Sequence, residues 1–388
     1  MAFGDFTVDR NSTKYVLGSG GDIISYATDE PAFEFNADGS YKGLLVEPAA
    51  TNICLQSEDI TTTWGSVSAT RTANATTAPD GTTTADKLGD NGVGGTGVVQ
   101  VYQTITVSAA TKYTASVFLK ADQLSFARIE VQDYDGTTDG SQYFGLSGAG
   151  SLGTAVNFDD SSITKYPDGW YRCTATWTQG AGDTSCGFVI YVASSISSVN
   201  VDLDGTSSIF VWGAQVEASP IATSYIPTTT ASVTRNKDDI SLTGASDLIG
   251  QSEGTLYVEV DFRAVSGAQY ILSVSDNTIN NWLLIWGISG ETRMYIDAGG
   301  STVLNTGAAN LSDGVQKLAF AYGNGDQEFY RNGSSIATGT SSLAALGTLT
   351  DIDIGQSFTT GGQVNMHIRA VALYKTRLTD DQLADLTS

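Results

Sequence analysis

Short stretches in which apolar residues alternate with polar or aromatic ones recur along most of this chain of 388 residues. In the stretch GTLYVEVDF, for example, Leu256, Val258 and Val260 alternate with Tyr257 and Glu259. Successive side chains of a β-strand point to opposite faces, so such alternation is typical of strands with one buried face. Turn-forming Gly, Asn, Asp and Ser separate the stretches, and the sequence therefore predicts an all-β protein.

The same pattern predicts which residues share a face of a strand. In FARIEVQDY, Ile129 and Val131 alternate with Arg128, Glu130 and Gln132. We expect the two apolar residues to point into a core and the three polar residues to point away from it. Many such strands, separated by frequent turns, favour β-sandwiches or jelly rolls.

Changes in this pattern divide the chain into four parts. They are a lead or attachment segment (1–50), a jelly-roll β-sandwich (51–227), a polar linker (228–239) and a second β-sandwich (240–388). The lead segment has too few apolar residues for a core of its own. The predicted fold class is all-β, with two β-sandwich (jelly-roll) domains in series.

A short helix is predicted at the C-terminal end. Thr379 and Gln382 have the spacing of a capping box, in which each side chain pairs with the other residue's backbone N–H. Leu383 and Leu386 then provide an apolar side.

The acidic composition excludes some classes of partner. The chain has 42 acidic and 19 basic residues, a formal net charge of −23. Such a surface repels the phosphates of nucleic acids and anionic membrane faces, so binding to nucleic acid is not expected. No apolar run is long enough to cross a bilayer, so membrane insertion is not expected either.

The cysteines and the N-terminal residues predict folding in a cytoplasm. Cys54, Cys173 and Cys186 are few and odd in number, which gives no disulfide framework. The first residues, MAFGDFTVDR, lack the basic and apolar regions of a secretory signal.

Motifs of enzymes and nucleotide-binding proteins occur without the context that they need. Residues 92–97 and 148–153 fit G-x-G-x-x-G, but strand-like runs follow both. Gly250–Gly254 fits G-x-S-x-G, and the single histidine, His367, follows it. A nucleophile elbow requires a helix after the serine, whereas a strand follows here. No enzyme is therefore predicted.

Pairs of aspartates leave calcium open as a cofactor, and no other cofactor is predicted. Asp133 and Asp135 are spaced to share one strand face, and so are Asp202 and Asp204. Carboxylate oxygens suit Ca²⁺, although no complete calcium-binding loop is present. The alternative is that these charges protect strand edges from aggregation.

Aromatic residues of the second predicted sandwich are candidate ligand contacts. Trp282 and Trp286 lie four residues apart in one strand and share a face, and Tyr295 lies in the next strand. Sugar rings stack on exposed aromatic rings while polar neighbours set their orientation. The alternative is that these three residues are core aromatics, which are common in sandwiches.

Longer phrases of the sequence resemble known families. Gly43–Ile60, Thr77–Leu88 and Trp212–Thr228 are similar to a module of tailed-bacteriophage structural proteins, which itself resembles jelly-roll carbohydrate-binding modules. Lys317–Thr338 and Ala372–Thr387 resemble a concanavalin/laminin-G-like sandwich that is found beside that module. The resemblance covers nearly the whole chain, and no catalytic or binding residue carries over from it.

The resemblance implies a virion protein that folds in the host cytoplasm and reaches the exterior by lysis. It implies a tail or head fibre or spike that adheres to host-surface glycans, with other virion proteins as partners and a homotrimer as the assembly. The alternative is a capsid decoration, or cement, protein that makes protein–protein contacts. In either case the lead segment would serve attachment or trimerisation.

Overall fold

A computed structural model describes residues 5–262, 268–288, 290–309, 314–358 and 364–388. The N-terminal part of the chain forms six short strands: β1 (Thr7–Asp9), β2 (Lys14–Leu17), β3 (Ile23–Tyr26), β4 (Phe33–Phe35), β5 (Tyr41–Val46) and β6 (Ala50–Asn52).

The middle of the chain is built from thirteen strands: β7 (Gly65–Val67), β8 (Ala69–Thr76), β9 (Ala85–Asp90), β10 (Thr96–Thr106), β11 (Lys112–Ala121), β12 (Phe126–Gln132), β13 (Gly140–Gly145), β14 (Ser151–Val156), β15 (Asp160–Lys165), β16 (Trp170–Thr178), β17 (Ser185–Ala193), β18 (Asn200–Asp202) and β19 (Ser208–Glu217).

The last third contains the remaining described strands and one helix: β20 (Val233–Arg235), β21 (Asp239–Leu242), β22 (Gly254–Phe262), β23 (Ala268–Ser275), β24 (Trp282–Ile288), β25 (Glu291–Ala298), β26 (Ser301–Ala309), β27 (Gly314–Gly323), β28 (Asp326–Arg331), β29 (Ser334–Gly339), β30 (Asp351–Ile354), β31 (Met366–Tyr374) and α1 (Asp380–Thr387).

The first sandwich consists of two antiparallel sheets. Sheet I has the order β14-β13-β12-β17-β10-β18, with β7 also beside β10, and sheet II has the order β15-β16-β11-β19-β9-β8. Their facing sides bury a core that includes Val101, Ile129, Trp177 and Phe188. The alternation seen in the sequence places every second residue of these strands in that core.

The second sandwich also has two sheets. Sheet III has the order β1-β21-β30-β23-β24-β25-β26, and sheet IV has the order β29-β28-β27-β22-β31-β5-β4. Leu256, Val258, Leu283, Ile285 and Phe320 lie in the core between them. The prediction of an all-β protein with two sandwiches is confirmed.

Helix α1 closes the second sandwich at the C-terminal end. The Thr379 side chain accepts from the backbone N–H of Gln382, and the Gln382 side chain accepts from the backbone N–H of Thr379. Leu383 is fully buried against sheet IV. The predicted capping box and short C-terminal helix are therefore confirmed. No helix in the described ranges is long and apolar enough to cross a membrane.

Strands of the lead segment are parts of the second sandwich. β1 pairs with β21 in sheet III, and β5 pairs with both β31 and β4 in sheet IV. Leu44 and Val46 of β5 are buried in the second core. A segment with too little apolar surface for its own core thus buries that surface in a neighbouring one. Its predicted role in attachment stays a prediction.

The hairpin of β2 and β3 packs instead on the first sandwich. Ile23 joins a buried cluster on the outer side of sheet II with Phe118, Trp170, Trp212 and Tyr225. The lead segment therefore contacts both sandwiches, and its strands hold the two together.

A buried ion cluster joins the lead segment to the linker. Lys14 Nζ lies 2.6 Å from Asp238 Oδ2 and 3.1 Å from Glu47 Oε2. Arg10 pairs with the other Asp238 oxygen at 3.2 Å, and Arg235 approaches Glu47 at 3.5 Å. Burial acts to raise the pKa of Glu47, but Arg235 and Lys14 hold it well below its usual range. All five side chains are paired charges, as burial requires.

Candidate functional site

The outer face of sheet III, which points away from the second core, carries a group of aromatic side chains. Trp282 and Trp286 of β24 lie on this face, with Tyr270 of β23 on one side and Tyr295 of β25 on the other. The core residues of β24 are instead Leu283 and Ile285. Period-2 alternation thus places the two tryptophans on the side of β24 opposite that core, although Trp282 is itself buried.

A β-bulge in β23 helps to assemble this aromatic face. The register with β24 shifts between Tyr270 and Leu272, so Ile271 is an extra residue. Both Ile271 and Leu272 are buried in the core. The bulge leaves Tyr270 opposite Trp286 and on the outer side, as bulges commonly re-aim one side chain.

The rings form one continuous patch, in which most neighbouring pairs pack edge to face and Tyr270 is tilted against Trp286. The Trp282 centroid lies 5.5 Å from the centroids of both Tyr270 and Tyr295. Trp286 lies 6.1 Å from Tyr270 and 6.4 Å from Tyr295, and Phe358 lies 5.3 Å from Trp282. Trp282 is only 8% exposed, whereas the other four rings are partly exposed. We call these five rings the aromatic face.

Hydrogen bonds fix two rings of the aromatic face in place, those of Trp282 and Tyr295. Trp282 Nε1 donates to Ser273 Oγ at 2.7 Å. The Tyr295 hydroxyl donates to Asp297 at 2.8 Å and also contacts Thr302 Oγ1 at 2.8 Å. Burial raises the pKa of Tyr295, so its hydroxyl stays protonated and remains a donor at neutral pH.

Polar side chains border the aromatic face on the side of β25 and β26. Arg293 Nη1 donates to Asn305 Oδ1 at 2.9 Å, and Arg293 Nε donates to Glu291 Oε2 at 2.9 Å. Asn305 and Thr302 are exposed. The arrangement offers partly exposed rings for stacking, beside donors and acceptors that can bind hydroxyl groups. The sequence had suggested Trp282, Trp286 and Tyr295, and the structure brings all three together.

Tyr270, Asp297 and Phe358 belong to this site but were not predicted. The bulge that turns Tyr270 outward has no clear sequence signal. Phe358 follows β30, whose pairing with β23 brings the chain beside Trp282. Only Asp297 could have been expected, because it lies two residues from Tyr295 on the same side of its strand.

A second polar and aromatic group lies on the outer face of sheet I. Arg128 contacts Glu130 and lies between two tyrosines, 4.7 Å from the Tyr191 ring and 5.5 Å from the Tyr143 ring. Glu130 Oε1 accepts from the Tyr191 hydroxyl at 2.9 Å and from Gln132 Nε2 at 2.6 Å. The predicted outward direction of Arg128, Glu130 and Gln132 is confirmed, and the carboxylate finds its partners within the group.

The aspartates considered for calcium do not share strand faces, contrary to the prediction. β12 ends at Gln132, so Asp133 and Asp135 lie in the following turn, where Asp133 has a positive φ of 54°. Asp202 ends β18, and Asp204 lies in the next turn. Asn and Asp residues favour turns because their side chains bind nearby backbone N–H groups.

The carboxylates of these turns are hydrogen-bonded locally. Asp135 accepts from the N–H of Thr137 at 3.1 Å, and Asp204 accepts from the N–H of Thr206 at 3.0 Å. Hydrogen bonds from Thr138 and Thr206 lower the pKa values of Asp135 and Asp204 respectively. In the described ranges no three Asp, Glu, His or Cys side chains are grouped so as to hold a metal ion. Calcium binding stays a prediction.

The G-x-S-x-G motif does not form a catalytic triad with His367. Ser252 lies just before β22, while His367 pairs with Asp261 near the other end of that strand. The strand from Gly254 to Asp261 covers seven residue-to-residue steps and spans roughly 23 Å. His367 is buried and contacts Glu34 instead. The interpretation of the motif as a turn before a strand agrees with this arrangement.

Comparison with known families identifies the second sandwich. Residues 234–384 match a family model of the laminin-G type. The description of this family is the Concanavalin A-like lectin/glucanases superfamily. This stretch contains all five rings of the aromatic face. The second sandwich is therefore laminin-G-like, as the resemblance implied. No curated protein sequence matches the chain.

Solved structures with similar folds include two sugar-binding domains and a laminin fragment. The CBM40 domain of a Ruminococcus gnavus sialidase is 19% identical over 37% of this chain and 87% of its own, with a TM-score of 0.33. Domain 4 of the Geobacillus stearothermophilus arabinanase AbnA, in complex with arabinotriose, is 17% identical over 43% of this chain and 82% of its own, with a TM-score of 0.33.

The third structure is a pair of laminin domains. Domains LG4-5 of the mouse laminin α1 chain are 8% identical over 70% of this chain and 85% of their own, with a TM-score of 0.26.

Proposed function

We propose that this protein is a glycan-binding adhesin that holds its ligand on the aromatic face of sheet III. The observation that carries the proposal is the cluster of Tyr270, Trp282, Trp286, Tyr295 and Phe358 on the outer side of a sheet, outside the core. Clustered aromatic rings that are not needed for a core mark a binding surface. The apolar faces of sugar rings stack on such side chains.

The border of the aromatic face supports a sugar rather than an apolar ligand. Arg293, Asn305, Thr302 and Asp297 supply donors and acceptors beside the rings. A sugar needs both an apolar stacking surface and hydrogen-bond partners for its hydroxyl groups. The matching family model covers this sandwich and is named for lectins as well as for glucanases. The proposal is binding without turnover.

The proposed setting is the exterior of a tailed-phage particle. The phage-like phrases between Gly43 and Thr228, with a laminin-G-like sandwich beside them, support a tail or head fibre or spike, with other virion proteins as partners and a homotrimer as the assembly. A net charge of −23 keeps such a protein soluble and away from nucleic acid. Electron microscopy of labelled virions distinguishes a projecting fibre from a capsid decoration protein, which would cover the shell as a lattice.

Binding to an array of bacterial surface glycans tests the proposed function directly. Purified full-length protein should bind a subset of the array. The Trp286→Ala variant should bind those glycans about tenfold more weakly, because stacking of a sugar ring on the indole ring contributes about 1–1.5 kcal/mol. Circular dichroism should show an unchanged fold, since Trp286 lies outside the core.

Tyr102→Ala is the matched control for that experiment. Tyr102 is 39% exposed on the first sandwich, far along the chain from sheet III. Its loss should leave binding to the array unchanged. Absence of binding by the wild-type protein, or equal binding by the wild type and Trp286→Ala, would contradict the proposal.

A further inference from the structure

A cavity of about 150 Å³ lies between the two sandwiches, on a different surface from the aromatic face. One wall is the outer side of sheet II, formed by β11, β15 and β16, with the loop 220–224 beside it. The opposite wall is formed by β4, β5 and the start of β31, in sheet IV. Both sandwiches and the lead segment therefore contribute to the lining. We call this cavity the inter-sandwich cleft.

The sheet II wall of the inter-sandwich cleft presents rows of hydroxyl groups. Thr114 and Thr176 lie side by side with their Oγ1 atoms 2.9 Å apart. Ser162 Oγ and Thr174 Oγ1 form the next pair at 2.7 Å. Thr114 Oγ1 also donates to the Ser219 carbonyl at 2.8 Å, and Thr174 Oγ1 also accepts from the Ser162 N–H at 3.2 Å. A hydroxyl has one donor and two acceptor sites, so each pair still keeps an acceptor site for a further partner. Ser162 is exposed, which leaves this side of the cleft open to solvent.

The sheet IV wall presents charged groups. Glu34 lies between Lys42, at 2.9 Å, and His367, whose Nε2 contacts the same carboxylate oxygen. Burial acts to raise the pKa of Glu34, but the hydrogen bond with His367 and the charge of Lys42 lower it to about 2. The carboxylate is therefore ionised at neutral pH and accepts hydrogen bonds.

The permanent charges that line the inter-sandwich cleft balance one another. Arg172 reaches across the sheet II wall and donates through Nη2 to Ser116 Oγ at 3.0 Å and to the Thr223 carbonyl at 2.7 Å. Arg172 and Lys42 thus oppose the carboxylates of Glu34 and Asp160 in the lining. The third carboxylate of the lining, Glu47, is already paired with Lys14 and Arg235 of the buried ion cluster. A cleft with both signs of charge and many hydroxyl groups favours an uncharged ligand that is rich in hydroxyl groups.

The size of the inter-sandwich cleft limits the ligand to one ring. An apolar cavity of about 150 Å³ accommodates benzene, a single six-membered ring. Here the lining is polar, so a ring that fits must satisfy hydroxyl, guanidinium and carboxylate groups. A pyranose has a six-membered ring as well and carries a hydroxyl group on most of its carbons, and some of these groups would extend towards the open side of the cleft at Ser162.

We infer that the inter-sandwich cleft binds one uncharged pyranose ring, either a free hexose or the terminal residue of a glycan. The hydroxyl pairs of sheet II would contact one edge of the ring, and Glu34 would accept from hydroxyl groups on the other edge. This site goes beyond the adhesin proposal, because it lies between sheets II and IV and not on sheet III. It would also bind a sugar ring through hydrogen bonds at the edges of the ring and not by stacking on its face. Since both sandwiches touch the ligand, a bound ring should also stabilise their junction.

Titration of the full-length protein with glucose, galactose and mannose, followed by calorimetry and by thermal shift, tests this inference. We expect at least one hexose to bind in the millimolar range and to raise the melting temperature. Thr174→Val, which removes one hydroxyl of the lining, should weaken that binding about fivefold, the effect of losing one hydrogen bond. Ser162→Ala, at the exposed opening, is a second variant with little risk to folding.

Trp286→Ala separates this inference from the adhesin proposal. It should bind the hexose as tightly as the wild type while losing affinity for the glycan array. Wild-type protein that binds the array but no hexose would overturn the cleft site and leave the adhesin proposal standing. Equal hexose binding by the wild type, Thr174→Val and Ser162→Ala would overturn the cleft site, and so would equal or tighter binding of glucuronate.

Discussion

Asp353 is a carboxyl group whose charge state near neutral pH depends on the fold. It lies in β30 on the outer side of sheet III, opposite Ser241 on one neighbouring strand and Ser273 on the other. It is 6% exposed, and its Oδ2 has no hydrogen-bond partner among the described residues. Burial, followed by the charges of Asp239 and Asp351, raises its pKa to about 7. The folded state therefore binds a proton that the unfolded chain releases above pH 4.

We predict that Asp353→Asn stabilises the protein in alkaline solution. When the pKa of a carboxyl group is higher in the folded than in the unfolded state, its contribution to the free energy of unfolding is complete below the unfolded pKa. That contribution is lost as the pH rises through the folded pKa of about 7. A difference of about 3 pKa units corresponds to at most about 4 kcal/mol at pH 8. Urea unfolding should show the variant more stable than the wild type at pH 8 and similar to it at pH 4.

Ser241→Ala is a neighbouring control that removes no charge. Its unfolding free energy should keep the pH dependence of the wild type between pH 4 and 8. An identical pH dependence in Asp353→Asn and the wild type would show that this carboxyl group does not titrate in that range.

At the scale of elements, the second sandwich depends on strands from the lead segment. β4 and β5 form the edge of sheet IV next to β31, and β1 forms the edge of sheet III next to β21. Val8, Leu44 and Val46 from these strands are buried in the second core. The edge of a sheet without its outer strand exposes unpaired backbone groups and promotes aggregation.

We predict that a fragment of residues 240–388 does not fold into a stable sandwich by itself. It contains the stretch predicted as the second domain but lacks β1, β4 and β5. Burial of Val8, Leu44 and Val46 contributes about 2 kcal/mol each to the free energy of unfolding. Their combined loss is more than half of the unfolding free energy of a typical domain. Heteronuclear NMR of this fragment should show poor dispersion, whereas the chain from residue 5 should give a folded spectrum. A well-dispersed spectrum of the fragment would refute the dependence.

At the scale of the whole molecule, three kinds of contact join the sandwiches. They are the lead strands, the cluster of Ile23 with Trp212 and Tyr225, and the buried ions around Lys14 and Asp238. Removal of one partner from a buried ion cluster leaves an uncompensated charge and costs about 3–5 kcal/mol. The two sandwiches should therefore be coupled in unfolding.

We predict one cooperative thermal transition for the whole chain. Differential scanning calorimetry should give a single peak whose calorimetric and van't Hoff enthalpies agree. Lys14→Met, which leaves Asp238 and Glu47 short of one cation, should lower the melting temperature of that transition. Two separate peaks in the wild-type protein, with only one shifted by Lys14→Met, would indicate that the sandwiches unfold independently.

Much of the local structure was predictable because its causes are local. The alternation of FARIEVQDY and GTLYVEVDF placed their side chains on the correct faces, and the Thr379 capping box started α1 where expected. The prediction that each aspartate pair shares a strand face was wrong because two aspartates separated by one residue fit the sequence pattern of a strand as well as that of a turn. Asp133 follows the last residue of β12, and only the backbone shows that the strand has ended.

Three properties could be read from the sequence by itself: the all-β class, the faces of its strands and the terminal helix. Periodicity of two residues and capping chemistry act over a few residues, so they need no tertiary context. The sequence likewise placed Trp282 and Trp286 on one side of a strand. It did not determine whether that side faced the core, because aromatic residues suit a core as well as a binding surface.

The tertiary structure alone decided which sandwich the lead segment joins, where the inter-sandwich cleft forms and which tryptophans lie outside a core. Arg10 pairs with Asp238 across 228 residues, and β5 pairs with β31 across more than 300 positions of the chain. No local pattern encodes such pairings, because they form only when segments far apart in the sequence pack against the edges and open faces of the two sandwiches. In this packing, the hairpin of β2 and β3 covers Trp212, whereas Trp286 lies on the outer face of sheet III.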